Sequence, residues 1–202
     1  MRRALALLLA AALVLAGCTT GDDAVSRGTS FEFVAPGGKT DIFYEGADRQ
    51  PVPEVSGEDL FDENKELSIR NYRGKVVVLN VWGQWCGPCR TEAPEMQRVQ
   101  DELGDKVQVL GIDVRDPDRS APQDFMRNRQ LTYPSIYDPS GRSLLQFSGY
   151  PRNVVPSTII VDQQQRVAAI FLRDLLATDV IPVVNRLAAE GGQAPGVEQP
   201  GG

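Results

Sequence analysis

Two cysteines with two residues between them, Cys86 and Cys89 in Trp85-Cys86-Gly87-Pro88-Cys89-Arg90, are the residues of this chain best suited to chemistry. They follow an apolar run, Val76 to Val81, and open a polar segment with helical character. A strand that delivers C-x-x-C to a helix N-terminus is suited to thiol–disulfide exchange. The thiolate is the nucleophile in that reaction, and a free cysteine has a pKa of roughly 8.5. Unpaired N–H groups and the macrodipole at a helix start favour the anion. Cys86 is therefore expected as the exposed nucleophile, and Cys89, one turn later and covered by the helix, as the resolving thiol. Pro88 lacks an N–H where no helical partner exists, and Gly87 puts no side chain beside the attacking sulfur. Trp85 is the expected contact surface for substrate, and Trp82 a second wall.

Two other readings of the pair stand beside this one. A closed structural zinc site needs four ligands. The chain has no histidine and one further cysteine, so no metal is expected. A permanent disulfide across two residues closes a short loop and adds little stability.

The third cysteine has another setting. Met1-Arg2-Arg3 is a short basic start, and Ala4 to Ala16 is apolar. The run ends in Leu15-Ala16-Gly17-Cys18, the pattern of a bacterial lipobox. The stretch is short for a bilayer span and fits a secretory leader over residues 1–17. Cys18 is expected to become a lipid-modified N-terminus, holding the protein on the outer face of the cell membrane. Di- or triacylation exceeds the single chain that gives only marginal anchoring.

Removing Arg2 and Arg3 with the leader takes the basic residues from 21 to 19, against 27 acidic ones. That balance argues against nucleic acid as a partner. Residues 18–30 read as a flexible tether, residues 31–190 as one folded domain, and residues 191–202 as a disordered Gly/Pro-rich tail.

Within the domain, Phe31–Phe33 and Asp41–Tyr44 read as strands of a hairpin turning at Pro36-Gly37-Gly38. Glu54–Gly57 and Leu67–Ile69 are weaker strand candidates. Val76–Val81 is a continuous apolar run, as expected of a central parallel strand, and Val107–Val114 reads as a second buried strand. A helix is expected from Cys86 to about Leu103, ended by Gly104 and kinked at Pro94, and another from Ser120 to about Gln130. Ser135–Tyr137 reads as a short strand and Ser143–Phe147 as a short helix. Ser157–Asp162 and Val167–Leu172 read as a hairpin. Leu175–Glu190 reads as a last helix with Leu176, Val180, Val183, Val184 and Leu187 on its apolar face.

A β-α-β half followed by a β-β-α half, with C-x-x-C at the first βα turn, resembles the membrane-anchored extracytoplasmic thioredoxins of the TlpA/ResA type. Tyr72 through Arg90, Glu92, Pro94 and Val155 through Asp162 carry the resemblance. It implies a thioredoxin fold, a central mixed sheet flanked by helices, with an N-terminal β extension and a central insert around Leu131–Pro151. It implies no cofactor. It also implies that Pro156 is cis and faces the disulfide, so that the Val155 backbone can pair with an incoming peptide; read from the residues alone, Pro156 could be a loop proline guarding a strand edge.

Glu92, three residues after Cys89, is expected near it on the helix and, if partly buried, able to move protons near neutral pH. The resemblance assigns this position to an acid that tunes the cysteines; the alternative is a solvated glutamate favouring the helix dipole. Asn80 stands where cytosolic thioredoxins carry an aspartate, and it cannot titrate. The resemblance further implies protein disulfides as substrates, apocytochrome c among them, and a membrane thiol carrier as electron donor. A general extracytoplasmic disulfide reductase, a thiol peroxidase of the same fold and a non-catalytic binding lipoprotein are the other readings. Tyr133, Tyr137, Phe147 and Tyr150 are expected in the core.

Overall fold

The computed structural model describes residues 31–191. The leader, Cys18 and the tether lie outside the described residues, as does the tail beyond Gly191.

The centre of the fold is β4, Val76–Trp82, in which every residue is buried. An apolar strand with no polar face must be covered on both sides, and its neighbours provide the flanks. It pairs in parallel with β5, Val107–Val114, and antiparallel with β7, Ser157–Val161. β6, Ser135–Asp138, continues the parallel side, and β8, Val167–Phe171, continues the antiparallel side.

The N-terminal extension caps both edges. β1, Asp41–Phe43, pairs with β8, while the hairpin of β2, Ser56–Asp59, and β3, Asp62–Ser68, pairs with β6 through β2. The sheet order is β1-β8-β7-β4-β5-β6-β2-β3.

Alternation along the strands sorts the sheet into two faces. Val76, Val78 and Trp82 of β4 pack into one buried cluster with Cys89, Ala93, Met96 and Val99 of helix α1, Gly87–Leu103. Met126 of α2, Ser120–Asn128, and Val180, Val183, Val184 and Leu187 of α3, Ala177–Gly191, join that cluster. Val77, Leu79 and Val81 face the other way. They are covered by Phe31, Val52, Val55 and Ile69 from the extension and by Leu144, Phe147 and Tyr150 from the insert.

Several expectations need correction. Phe31–Phe33 does not form a hairpin with Asp41–Phe43. Glu32 bridges Ser148 and the Phe33 N–H donates to the Ser148 carbonyl, while Pro36–Gly38 is a 3-10 turn. The weak strand around Glu54–Gly57 lies two residues later, and Ile69 begins a 3-10 turn. The 143–147 helix is a 3-10 turn, Arg142–Gln146. The last helix starts at Ala177, which leaves Leu176 exposed, and Gly191 closes it rather than opening the tail. Tyr133, Phe147 and Tyr150 are buried as expected, and Tyr137 only partly.

Candidate active site

Helix α1 begins with Cys86 as its N-cap. The Cys86 Sγ accepts the Cys89 N–H at 3.2 Å, the position an N-cap oxygen usually fills. Cys86 and Cys89 are joined as a disulfide with Cα atoms 5.2 Å apart. Cys89 is fully buried. Cys86 is only 4 % exposed, so the expected open nucleophile is instead covered in the oxidised form. Gly87 and Pro88 are exposed above it.

The Val155–Pro156 bond is cis, and the Val155 carbonyl oxygen lies 3.7 Å from Cys86 Sγ. Neither the N–H nor the C=O of Val155 is paired with another backbone group among the described residues.

The two tryptophans divide the work expected of both. Trp82 is fully buried and donates its indole N–H to Ser135 Oγ, so it belongs to the core. Trp85 is 43 % exposed and donates to the Val114 carbonyl at 2.8 Å, with the Arg115 guanidinium 5.5 Å from its ring centre. Gly83, read from sequence only as part of the loop, makes this possible. A Cβ there would fall 2.3 Å from Trp85 Nε1 and 2.8 Å from the Val114 oxygen.

Behind the disulfide, the pairing of Asn80 with Thr158 across β4 and β7 puts both side chains on the helix side of the sheet. Glu92 descends from α1 onto them and is 2 % exposed. Its Oε2 accepts from Asn80 Nδ2 and its Oε1 from the Leu175 N–H, both at 2.9 Å. Burial raises its pKa from 4.5 to about 7 against the pull of those hydrogen bonds. The solvated first-turn alternative does not describe this residue. Asn80 also donates to Thr158 Oγ1, and its own carbonyl oxygen is buried without a partner.

One group was missed. Asp113, at the end of β5, is fully buried with both carboxylate oxygens unpartnered. Its pKa is pushed up to about 9, first by burial and then by neighbouring Asp116. Asp116 in turn accepts the Gln84 N–H just before Trp85. An aspartate inside an otherwise apolar strand was the available signal.

Residues 49–170 match the model of the AhpC/TSA family. The chain belongs to the AhpC/TSA family. It is similar to the thiol:disulfide interchange protein DsbE of Allochromatium vinosum, 32 % identical over 68 % of this chain and 75 % of the relative. Among solved structures it is similar to a DsbF homologue from Corynebacterium diphtheriae, with 49 % identity, TM-score 0.75, and 78 % of this chain and 99 % of that one covered. It is also similar to a secreted thiol-disulfide isomerase from Corynebacterium glutamicum, with 42 % identity, TM-score 0.78, and 80 % and 99 % covered. Other curated relatives are covered over less of their length, 59 % for the oxidoreductase ResA of Bacillus thuringiensis. Within this AhpC/TSA family the domain has the thioredoxin-like fold and is a thiol–disulfide oxidoreductase of the DsbE/ResA/DsbF type. No helix among the described residues is long and apolar enough to cross a membrane.

Proposed function

We propose that the protein works outside the cytoplasmic membrane, held there by lipid on Cys18, and reduces protein disulfides, those of apocytochrome c in particular, before haem attachment. The reaction starts from the reduced pair. The Cys86 thiolate, stabilised by the start of α1, attacks one sulfur of the substrate disulfide. The other substrate sulfur leaves as a thiolate, and a mixed disulfide forms. Cys89 then gives its proton to the Glu92 carboxylate, and its thiolate attacks Cys86 Sγ. The second substrate thiolate is released. Two electrons have moved to the substrate, and the protein is left with the Cys86–Cys89 disulfide; a membrane dithiol carrier restores it. Trp85, Gly87 and Pro88 border the substrate, and Val155 offers its backbone to it, next to Pro156.

The observation that carries this reading is the placement of Cys86 Sγ at a helix N-terminus beside the unpaired Val155 backbone, with Cys89 buried behind it. The choice of cytochrome c rests on the TlpA/ResA resemblance, while the DsbE and ResA relatives support the thiol–disulfide chemistry. A second reading, isomerisation of wrong disulfides, is favoured by the likeness to the secreted isomerase of Corynebacterium glutamicum.

The test is an equilibrium of the full chain with dithiothreitol buffers, followed by trapping with a Cys89→Ala variant and identification of the bound partner. A potential near roughly −270 mV with trapped apocytochrome c is expected. A potential near roughly −120 mV would make the protein an oxidant and overturn the reductive direction. Mass spectrometry of the membrane-extracted protein should show a start at Cys18 with added acyl mass; an unmodified start elsewhere would remove the anchor.

A further inference from the structure

An open cleft of about 410 Å³ is lined by Arg115, Ser140, Gly141, Tyr150, Arg152 and Asn153 among others. It is tied to the exchange site on two sides. On one side, Val114, which also lines it, holds the indole of Trp85, the residue before Cys86. On the other, Arg152 and Asn153 lead directly into Val154 and Val155. Arg115 joins the two sides: its guanidinium stands over Trp85 and donates through Nη2 to the Arg152 carbonyl at 2.8 Å.

The charge of this cleft runs against that of the chain, which is acidic overall with a formal net charge of −6. Many arginines elsewhere hold a carboxylate, Arg49, Arg119, Arg166 and Arg173 among them. Among the described residues, Arg115 and Arg152 have no carboxylate partner, and neither has Arg90, one residue past Cys89. The acids nearest the cleft are turned elsewhere. Asp116 is 4 % exposed and is bound by the Gln84 N–H. The Asp138 carboxylate accepts from Ser140, Arg142 and Ser143.

Arg115 is also held in the left-handed backbone region, at φ 61°, with its N–H on the Pro139 carbonyl. A side chain other than glycine, asparagine or aspartate is uncommon there. Arg115 lines the cleft, and among the described residues its guanidinium uses one of its five N–H donors, on the Arg152 carbonyl.

We propose that the cleft is a subsite for an acidic side chain of the substrate polypeptide, bound by Arg115 and Arg152 while the neighbouring disulfide is at Cys86. This assignment rests on the thiol–disulfide exchange reading and adds a substrate class to it: disulfides with a nearby glutamate or aspartate. Charge-assisted hydrogen bonds from a guanidinium are well matched to a carboxylate. The site is solvent-exposed, so each arginine is expected to contribute roughly threefold to fivefold in kcat/KM.

The experiment uses the reduced full-length protein and disulfide peptides blocked at both termini, identical except for glutamate, glutamine or lysine flanking the cystine. Reduction is expected fastest for glutamate and slowest for lysine, with the preference shrinking as salt rises. Arg152→Gln, whose side chain makes no hydrogen bond or ion pair among the described residues, should lose part of the preference. The Arg115→Asn, Arg152→Gln pair, with asparagine chosen for the left-handed backbone, should lose most of it, read within each variant as the ratio of the glutamate-peptide rate to the glutamine-peptide rate. Equal wild-type rates on the three peptides, or a preference that survives in the double variant, would overturn the subsite. Reduction of none of the peptides would instead overturn the exchange reading itself.

Discussion

Replacing Glu92 with glutamine should remove a pH dependence built into the native fold. The carboxyl is 2 % exposed, and its pKa is about 7 in place of 4.5. A native pKa above the unfolded one means that the folded chain holds the proton more tightly. The stability this group contributes is therefore complete below about pH 4.5 and is lost as pH rises through about 7. The difference between the two pKa values, at 1.36 kcal/mol per unit, amounts to about 3 kcal/mol. No histidine titrates in that window, because the chain has none. Asp113 acts with the same sign and extends to about pH 9, so variant and wild type must be compared at each pH for its contribution to cancel. Glutamine fits the site once the Asn80 amide turns over: its carbonyl accepts the Leu175 N–H, its amide donates to Asn80 Oδ1 in place of the present Nδ2 contact, and the Thr158 hydroxyl can donate to the same oxygen. Urea unfolding of the oxidised full chain at pH 5, 6, 7 and 8 reads the effect. The two proteins should differ little at pH 5, and the variant should gain on the wild type by about 3 kcal/mol by pH 8. A difference that stays constant across the series would refute the buried, proton-binding carboxyl and leave Glu92 a packing residue.

Limiting iodoacetamide on the reduced full chain should label Cys86 ahead of Cys89, since Cys89 is fully covered by the core; peptide mapping decides, and preferential label on Cys89 would reverse the roles. Gly83→Ala should cost roughly 1–3 kcal/mol in urea unfolding, because the new methyl group collides with the Trp85 indole and the Val114 carbonyl. An unchanged midpoint would mean that Trp85 moves away freely.

What could be read in the sequence was whatever local pattern decides. The runs Val76–Val81 and Val107–Val114 can only be buried strands, and the glutamine turn joins β7 to β8 as a hairpin because its strands are adjacent in the chain. The i, i+3 spacing set Glu92 on the helix one turn after Cys89. Beyond shifted bounds and short helices that became 3-10 turns, the failures involve partners far away in sequence. Phe31–Phe33 and Asp41–Phe43 look like two arms of one turn, but their partners are Ser148 and β8. The acceptor role of Glu92 depends on Asn80 and on the Leu175 N–H, which arrives from the other end of the chain. Asp113 was hidden by its apolar neighbours, and the covering of Cys86 needs the 155–156 loop that no helix pattern announces.

An extended polypeptide could join this molecule at a rim of the sheet or at Val155, and the chain treats those places in opposite ways. One rim is β3, where Asp62, Glu63, Asn64, Lys65 and Glu66 are all exposed; the other is β1, only three residues long, with Asp41 tied to Arg173. Charged or very short rims discourage the strand-on-strand growth that leads to aggregates. At Val155 the main chain is left unpaired beside the sulfur. Under the proposed function, a half-folded client rich in unsatisfied backbone meets charged or short borders at the rims and an open main chain only beside the sulfur, which keeps reaction and aggregation apart.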